Sequence, residues 1–311
     1  MKIALVQQNY HIGNFEYNTE KIIQGIQLAK QGGADLAVFS EMSVCGYPPR
    51  DFLEFEDFLT RCYASIELIK AHSSGIGVIV GSPAPNRDPK GKDLFNAAWF
   101  LHDQEVKGII YKTCLPTYDI FDEYRYFEPG SEWKVIEFMG KRIALTICED
   151  IWNLGDNPLY RACPMDELMP QQPDLMINIS ASPFDYDHEE DRRAVVRQNV
   201  LKYKLPMYYC NAVGSQTEII FDGGSVVYDA YGTCTHHLKV FEEDFQIVDT
   251  EVKYRPINKH TPVFTSASVL TPDQIIPYLT RRSNIREIHD ALIMGILDSL
   301  EVGGSVTFRK S

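Results

Sequence analysis

The chain has 311 residues, 44% of them hydrophobic and 23% charged, which is typical of a folded protein with a sizeable buried core. Its formal net charge of −13 argues against a nucleic-acid or anionic-membrane partner, because phosphate binding requires clustered Lys and Arg. No stretch approaches the roughly 18 consecutive apolar residues of a membrane span, and the N-terminus turns polar too early for a signal peptide. Seven scattered cysteines without a CxxC pair predict reduced thiols. We therefore expect a soluble, cytoplasmic enzyme.

Short β-branched runs alternate with longer helical patterns through the first 250 residues. The predicted strands are 2–6, 35–39, 76–81, 96–101, 106–111, 142–147, 175–179, 207–210, 224–228 and 246–249. The predicted helices are 14–30, with Asn14 as N-cap, 56–71 and 189–204. So many strands with at least three intervening helices indicate a layered α/β fold. The Gly-Gly pair in Asp222–Ser225 predicts a hairpin turn between strands.

The composition changes near residue 252. Residues 253–271 are irregular and contain Pro and Ser, which is typical of a linker. Residues 285–300 form a strongly amphipathic helical pattern, and such a helix requires a partner surface. We therefore expect one domain over residues 1–252, a linker over 253–271 and the beginning of a second unit over 272–311.

Three chemically active side chains stand where predicted strands end: Glu41, Lys112 and Cys148. Polar groups at the carboxyl ends of strands in α/β sheets converge on ligand crevices. Each residue has a structural alternative: a helix-start carboxylate for Glu41, a solvated strand end for Lys112, and a core filler for Cys148. Their joint occurrence favours a base, a cation and a nucleophile in one site.

These three residue types suit each other chemically. A thiol with a pKa near ~8.5 is mostly protonated at neutral pH and needs a base or a cation to become a nucleophile. A Glu can take that proton and return it to a departing amine, and a Lys can hold the oxyanion of a tetrahedral intermediate. None of the eight His lies in a Cys–His motif, and no spacing of ligands fits a metal site. The pattern predicts a cysteine hydrolase that uses neither His nor metal.

Three segments, in order, resemble the nitrilase (carbon–nitrogen hydrolase) superfamily. They are 39–42 (FSEM) with 46–49 (GYPP), 111–116 (YKTCLP), and 146–150 (TICED) with Trp152. The resemblance covers roughly residues 1–250. Within the superfamily the chain is most similar to the glutaminase domains of glutamine-dependent NAD synthetases. The segments that carry this closer similarity are 46–53, 115–130 and 180–184, and residues 285–300 resemble the helix that opens the ATP-dependent amidating domain.

The resemblance implies a four-layer αββα sandwich and a specific reaction. Cys148 would attack the side-chain amide of L-glutamine and form a γ-glutamyl thioester that water hydrolyses. Glu41 would act as general base and then as acid to ammonia, while Lys112 steadies the oxyanion. Glu123 matches the family's accessory carboxylate; the alternative is a loop salt bridge to Arg125.

The positions that match the family's glutamine contacts are Tyr118, Ser182 and His188, and a structural turn role is the alternative for Tyr118 and for Ser182. The family usually has Lys or Arg where this chain has His188, for which a solvated loop position is the alternative. Because a His is charged only part of the time near neutral pH, substrate binding through it predicts that glutamine affinity falls above about pH 7.

The resemblance also bears on cofactors and partners. The ATP-binding Ser-Gly-Gly-Ile-Asp-Ser loop of the synthetase domain has no match, since residues 302–306 have the glycines without the Asp-Ser. ATP and Mg are therefore expected only in a synthetase domain or chain that this sequence lacks, and the hydrolysis itself needs no cofactor. The expected partners are L-glutamine, that synthetase part, to which ammonia would pass for amidation of deamido-NAD, and further copies of the chain. The alternatives are an amidase for another ω-amide or a carbamoyl compound, and a catalytically silent subunit.

Overall fold

Buried apolar strands form the framework on which the rest of the chain folds. The computed structural model describes residues 1–154, 159–185, 188–252 and 282–302. Its strands are β1 (Lys2–Gln7), β2 (Leu36–Val38), β3 (Gly77–Pro85), β4 (Leu94–His102), β5 (Glu105–Tyr111), β6 (Ile136–Phe138), β7 (Lys141–Ile147), β8 (Leu175–Ser180), β9 (Met207–Asn211), β10 (Val213–Gln216), β11 (Ile219–Asp222), β12 (Val226–Tyr228), β13 (Cys234–His237) and β14 (Asp244–Asp249). Its helices are α1 (Phe15–Gln31), α2 (Glu56–Ala71), α3 (Glu123–Tyr126), α4 (Pro164–Leu168), α5 (His188–Tyr203) and α6 (Arg282–Val302).

Twelve of these strands form two mixed six-stranded sheets. The first has the order β14-β1-β2-β3-β4-β5 and the second β13-β12-β9-β8-β7-β6. In each sheet three central strands are parallel, β1-β2-β3 in the first and β7-β8-β9 in the second, and antiparallel strands complete the edges. The carboxyl ends of the parallel strands are therefore available for a site in both sheets.

Three apolar layers hold the sheets and helices together. Leu5 and Val38 of the first sheet pack with Leu145 of the second between the two sheets. Helices α1 and α2 cover the outer face of the first sheet, and α4 and α5 cover the outer face of the second. Burying one such aliphatic side chain contributes about 1.5–3 kcal/mol. The result is the αββα sandwich that the family resemblance implies.

The Gly-Gly pair connects two sheets and is not a hairpin turn, so this prediction is wrong. Strand β11 pairs with β10 in a separate two-stranded hairpin, whereas β12 pairs with β9 and β13. Gly223 and Gly224 have φ angles of +71° and +62°, and the side chain of Gln7 occupies the space that a Cβ at Gly223 would need. Both positions favour glycine because the backbone is left-handed there, and at Gly223 the side chain of Gln7 also leaves no room for a Cβ.

Helix α6 contains the predicted segment 285–300 and packs on the β10–β11 hairpin. The Asp298 carboxylate accepts hydrogen bonds from the backbone N–H of Ser215 at 2.5 Å and from the Asn9 side chain at 2.9 Å. Ala291 is buried, whereas much of the remaining apolar face of α6 is exposed.

The linker predicted over 253–271 lies outside the described residues, so the domain boundaries stay a prediction. None of the described helices combines the length and apolarity that a bilayer crossing requires.

Helix α1 begins one residue after Asn14, as the sequence predicts, but without the expected side-chain cap. Asn14 occupies the N-cap position and makes no capping hydrogen bond through its side chain.

Candidate active site

The three side chains at strand ends are brought together between the sheets. Lys112 directly follows β5, Cys148 directly follows β7, and Glu41 lies shortly after β2. Lys112 is fully buried, and its Nζ donates to Glu41 Oε1 at 2.9 Å and to Glu123 Oε1 at 2.7 Å. A solvated strand end is therefore excluded for Lys112. The cation stands between two buried carboxylates.

Cys148 occupies a sharp bend between a strand and a turn. Its φ angle of +43° lies in the left-handed region, and a short 3-10 helix, Cys148–Ile151, follows β7. Asp150 holds this bend. Its Oδ2 accepts the N–H of Ile147 at 3.0 Å, and its Oδ1 accepts the N–H groups of Thr113 at 2.9 Å and Cys114 at 2.8 Å. Asp150 thus ties the cysteine bend to the segment that follows Lys112.

The environment of Cys148 keeps its thiol protonated. Burial raises the pKa of the thiol well above its ordinary value, the negative charge of Glu41 raises it further, and the charge of Lys112 opposes them. Glu41 is fixed in the same place, because its Oε2 accepts the backbone N–H of Ala181 at 2.9 Å. A nucleophilic Cys148 therefore requires a proton acceptor, and Glu41 is the carboxylate whose charge acts most strongly on it.

Glu123 belongs to the charge cluster and not to a surface salt bridge. Its Oε1 accepts the Tyr47 hydroxyl at 2.7 Å in addition to Lys112. Burial raises the pKa of Glu123, while Lys112 opposes that shift. Arg125 instead pairs with Asp51 at 3.0 Å and Glu54 at 3.6 Å. The alternative assignment of Glu123 as a partner of Arg125 is therefore wrong.

Lys112 remains a cation in this buried cluster. Burial alone would lower its pKa, but the charges of Glu123 and Glu41 outweigh burial and raise the pKa well above its ordinary value. A permanent positive charge beside a thiol can stabilise a developing oxyanion.

A cavity of about 330 Å³ opens beside Cys148. Two of the predicted substrate contacts, Tyr118 and Ser182, line it. Its remaining walls are formed by residues from three loops and from the β10–β11 hairpin: Asp119, Ile120, Phe121, Glu149, Trp152, Pro183, Phe184, Asp185, Glu218, Ile219 and Ile220. Four of these residues are carboxylates, so the cavity favours a ligand that bears a positive charge.

One of these four carboxylates, Glu149, directly follows Cys148 and is held by hydrogen bonds from two tyrosines. Its Oε1 accepts the hydroxyls of Tyr118 at 2.9 Å and Tyr160 at 3.1 Å, and burial raises its pKa. The backbone N–H of Ser182 donates to Asn211 at 2.8 Å, which fixes the loop after β8. Residue His188 begins α5, but its side chain lies outside the described part of the chain.

Several residues of the site carry no assignment from the sequence. Tyr47, Asn96, Asp150 and Glu149 all contact the charge cluster, the cysteine bend or the cavity wall. Glu149 and Asp150 adjoin Cys148 in the sequence, and Tyr47 lies in the 46–49 segment that carries the family resemblance, whereas no pattern in the sequence singles out Asn96. Among the described residues, no group of three or more His, Cys, Asp or Glu side chains could hold a metal ion.

Comparison with known proteins identifies the family. The carbon-nitrogen hydrolase family model matches residues 2–256. The glutamine-dependent NAD(+) synthetase of Thermotoga maritima is 35% identical over 252 residues, which are 81% of this chain and 42% of that protein. The Synechocystis sp. synthetase is 30% identical over 311 residues, covering 97% of this chain and 53% of its own. This chain therefore spans about half the length of these relatives.

Solved structures agree in fold. The glutamine-dependent NAD+ synthetase of Acinetobacter baumannii in complex with ADP matches with a TM-score of 0.80 and 30% identity, over 97% of this chain and 52% of that one. An amidase from Nesterenkonia sp. AN1 matches with a TM-score of 0.69 and 21% identity, over 80% of this chain and 92% of its own. With a family match across most of its length and this shared fold, the chain belongs to the carbon–nitrogen hydrolase family.

Proposed function

We propose that this chain is the glutaminase part of a glutamine-dependent NAD synthetase. It would release ammonia from L-glutamine for the amidation of deamido-NAD by a synthetase domain or chain. The observation that supports this best is the buried Glu41–Lys112–Glu123 cluster, whose charges act on a cysteine that lines an acidic cavity. The names of the relatives, which are glutamine-dependent NAD(+) synthetases, supply the substrate and the destination of the ammonia.

The first half of the reaction forms a thioester. As Cys148 Sγ attacks the amide carbon, its proton passes to Glu41, which is needed because burial keeps the thiol protonated. The carbonyl oxygen becomes an oxyanion. Lys112 and the backbone N–H that follows the nucleophile stabilise it. Collapse of this intermediate breaks the C–N bond, and Glu41 returns the proton to the departing ammonia.

The second half regenerates the enzyme. A water molecule attacks the thioester carbon while Glu41 takes one of its protons. The C–S bond then breaks, Cys148 recovers a proton from Glu41, and glutamate leaves. Glu41 accepts and returns each proton in both halves of the reaction, so in this proposal the hydrolysis requires no cofactor. In this proposal ATP and Mg serve only the synthetase part.

The cavity suits an amino-acid substrate. Its carboxylates, with Glu149 nearest to the nucleophile in sequence, can receive the α-ammonium group of glutamine. Tyr118 and Ser182 add hydroxyl groups on the same wall, and His188 remains the proposed contact for the α-carboxylate. If His188 does hold that carboxylate, the KM for glutamine rises between about pH 6 and 8.5, whereas a flat KM contradicts this assignment.

The test measures ammonia and glutamate released from L-glutamine by the purified chain. One glutamate per ammonia is expected, with both lost in Cys148→Ala and both retained in the matched control Cys163→Ala, whose thiol contacts Tyr203 away from the cavity. Ammonia from other ω-amides or carbamoyl compounds with glutamine inert would favour an amidase of different specificity. An inert chain whose Cys148 also fails to form an adduct with a glutamine-like electrophile would contradict the proposal.

A further inference from the structure

A neutral amide lies in the middle of the buried charge cluster. Asn96, on β4, is fully buried, and its Nδ2 donates to Glu41 Oε1 at 2.7 Å and to Glu123 Oε2 at 3.3 Å. Its backbone carbonyl accepts the N–H of Lys112 at 2.9 Å. Asn96 therefore contacts all three charged members of the cluster, yet it does not line the cavity.

The contacts form a closed ring of four side chains. A side-chain amide has two hydrogens on one nitrogen, and here each lies toward a different carboxylate. Lys112 bridges the same two carboxylates from the other side. The two carboxylates thus share one cation, and the amide supplies a further donor to each of them without adding a charge.

We infer that Asn96 is a positioning residue that orients Glu41 toward Cys148 and holds Glu41 apart from Glu123. This inference rests on the proposed role of Glu41 as the base. Glu41 has three donors around it, from Lys112, Asn96 and Ala181, and together they fix both carboxylate oxygens. Without Asn96, Glu41 Oε1 would keep Lys112 as its donor and Glu123 Oε2 would lose its donor, so the carboxylate of Glu41 would be held less firmly and would rotate away from the thiol.

No other small side chain meets these requirements. An Asp would place a third carboxylate around one lysine, and an apolar residue would take the donor from Glu123 Oε2 and one of two donors from Glu41 Oε1. The Oδ1 atom of Asn96 is buried without a hydrogen-bond partner among the described residues, so contacts of the nitrogen alone determine the orientation of the amide. The geometry is therefore that of a donor placed for the two carboxylates.

The test uses the rate at which iodoacetamide alkylates Cys148, measured against pH, because this reaction needs no amide substrate. We expect Asn96→Ala to slow alkylation near neutral pH about tenfold, because Glu41 is no longer oriented to accept the thiol proton, and the difference from the wild type to shrink as the pH rises and the thiol ionises without a base. Where the chain hydrolyses glutamine, kcat should fall about 10- to 100-fold with KM changed less than about twofold. Ser82→Ala is the matched control, because Ser82 is equally buried on the neighbouring strand and touches none of the cluster.

Asn96→Asp preserves the volume if the alanine variant does not fold; its alkylation should be slower than that of the wild type at neutral pH, because it replaces the amide donor with a third carboxylate beside Glu41 and Glu123. An Asn96→Ala profile that coincides with those of the wild type and Ser82→Ala would overturn the inference. A wild-type chain that is alkylated normally but does not hydrolyse glutamine would instead count against the proposed substrate and leave the role of Asn96 intact.

Discussion

Glu149 shows how single residues of the site are prepared for a ligand. One of its oxygens accepts two phenol hydroxyls, from Tyr118 and from Tyr160, and only Tyr118 also lines the cavity. Burial raises the pKa of both phenols, so each remains a neutral donor. Both tyrosines therefore donate a hydrogen bond to Glu149, but only Tyr118 lies on the cavity wall, where it can also contact a bound ligand.

We predict that removing the hydroxyl of Tyr118 weakens substrate binding more than removing that of Tyr160. Tyr118→Phe should raise the KM for glutamine about 5- to 10-fold with little change in kcat, because it removes one donor to a charged group and one cavity hydroxyl. Tyr160→Phe removes the same kind of donor to Glu149 from outside the cavity, and it should raise KM less than about threefold. Steady-state kinetics of the two variants measures this difference. Equal effects would assign Tyr118 a purely structural role through Glu149.

The sequence predicts the chemical residues of the site better than it predicts their supports. Glu41, Lys112 and Cys148 are visible because each reactive side chain interrupts an apolar run at a strand end. Asn96 is hidden inside a strand, and its partner Glu41 lies 55 residues away in the sequence. The contact between Asn96 and Glu41 depends on how β4 packs against the loop after β2, and no local sequence pattern encodes that packing.

At the scale of elements, the β10–β11 hairpin joins the cavity to helix α6. Residues 218–220 of the hairpin line the cavity, whereas Ser215 faces α6 and donates its N–H to Asp298. The buried ion pair of Arg192 and Asp222, at 2.9 and 2.7 Å, secures the far end of β11 to helix α5. The hairpin is therefore held between two helices, and Asp298 is its hydrogen-bonded attachment to α6.

Removing that attachment should loosen the hairpin. In Asp298→Ala we expect hydrogen exchange at the Ser215 amide to accelerate about tenfold, because the amide loses a charged acceptor. Asp290→Ala is the matched control: it removes the same charge from α6, while Asp290 pairs with Arg286 on its own helix. Amide exchange followed by NMR or mass spectrometry makes the comparison. Unchanged protection at Ser215 in Asp298→Ala would show that packing alone holds α6 to the hairpin.

Which elements the sequence predicts depends on their length and on the origin of their stability. Helices α1 and α2 and the central strands have enough apolar periodicity to be found locally, whereas α5 is predicted as a long charged segment before a buried strand. The short elements α3, α4, β6, β10, β11 and β13 are not predicted, because three to five residues cannot show a period and are stabilised by distant contacts. The Gly-Gly turn was misassigned for a related reason. A left-handed pair is compatible with both a hairpin and a crossing between sheets, and only the approach of Gln7 distinguishes them.

At the scale of the whole molecule, the candidate site places several carboxyl groups in the interior. Burial raises the pKa of Asp150 from 3.8 to about 7, even though three backbone N–H groups oppose the shift, and it also raises the pKa of Glu123 and Glu149. On the surface the shifts have the opposite sign, as at Glu218, whose pKa falls to about 2 beside Thr217 and Arg50. The two groups of carboxyls therefore act on stability in different pH ranges.

We expect the free energy of unfolding to decrease as the pH rises from about 5 to about 8. In that range the folded chain holds a proton on Asp150 that the unfolded chain has lost, so this part of the stability is complete below the unfolded pKa of 3.8 and disappears through the folded pKa of about 7. The raised pKa values of Glu123 and Glu149 act with the same sign. The surface carboxyls with lowered pKa oppose this only below about pH 4.5, where they begin to take up protons in the unfolded chain. Thermal unfolding should give a Tm at least about 3 °C lower at pH 8 than at pH 5.5.

Asp150→Asn separates the contribution of one carboxyl from that of the others. The substitution keeps the volume but turns an NH2 group toward the N–H of Ile147 or of Thr113, so it should lower the stability at every pH by about 1–3 kcal/mol. Because an amide does not titrate, the decrease in Tm between pH 5.5 and 8 should become shallower than in the wild type. A Tm that stays constant or rises over this range in the wild type, or an equally steep decrease in the variant, would mean that the backbone donors keep Asp150 ionised throughout. In that case the cysteine bend would be held by a permanent anion, and its geometry would not depend on pH in the range where the thiol must react.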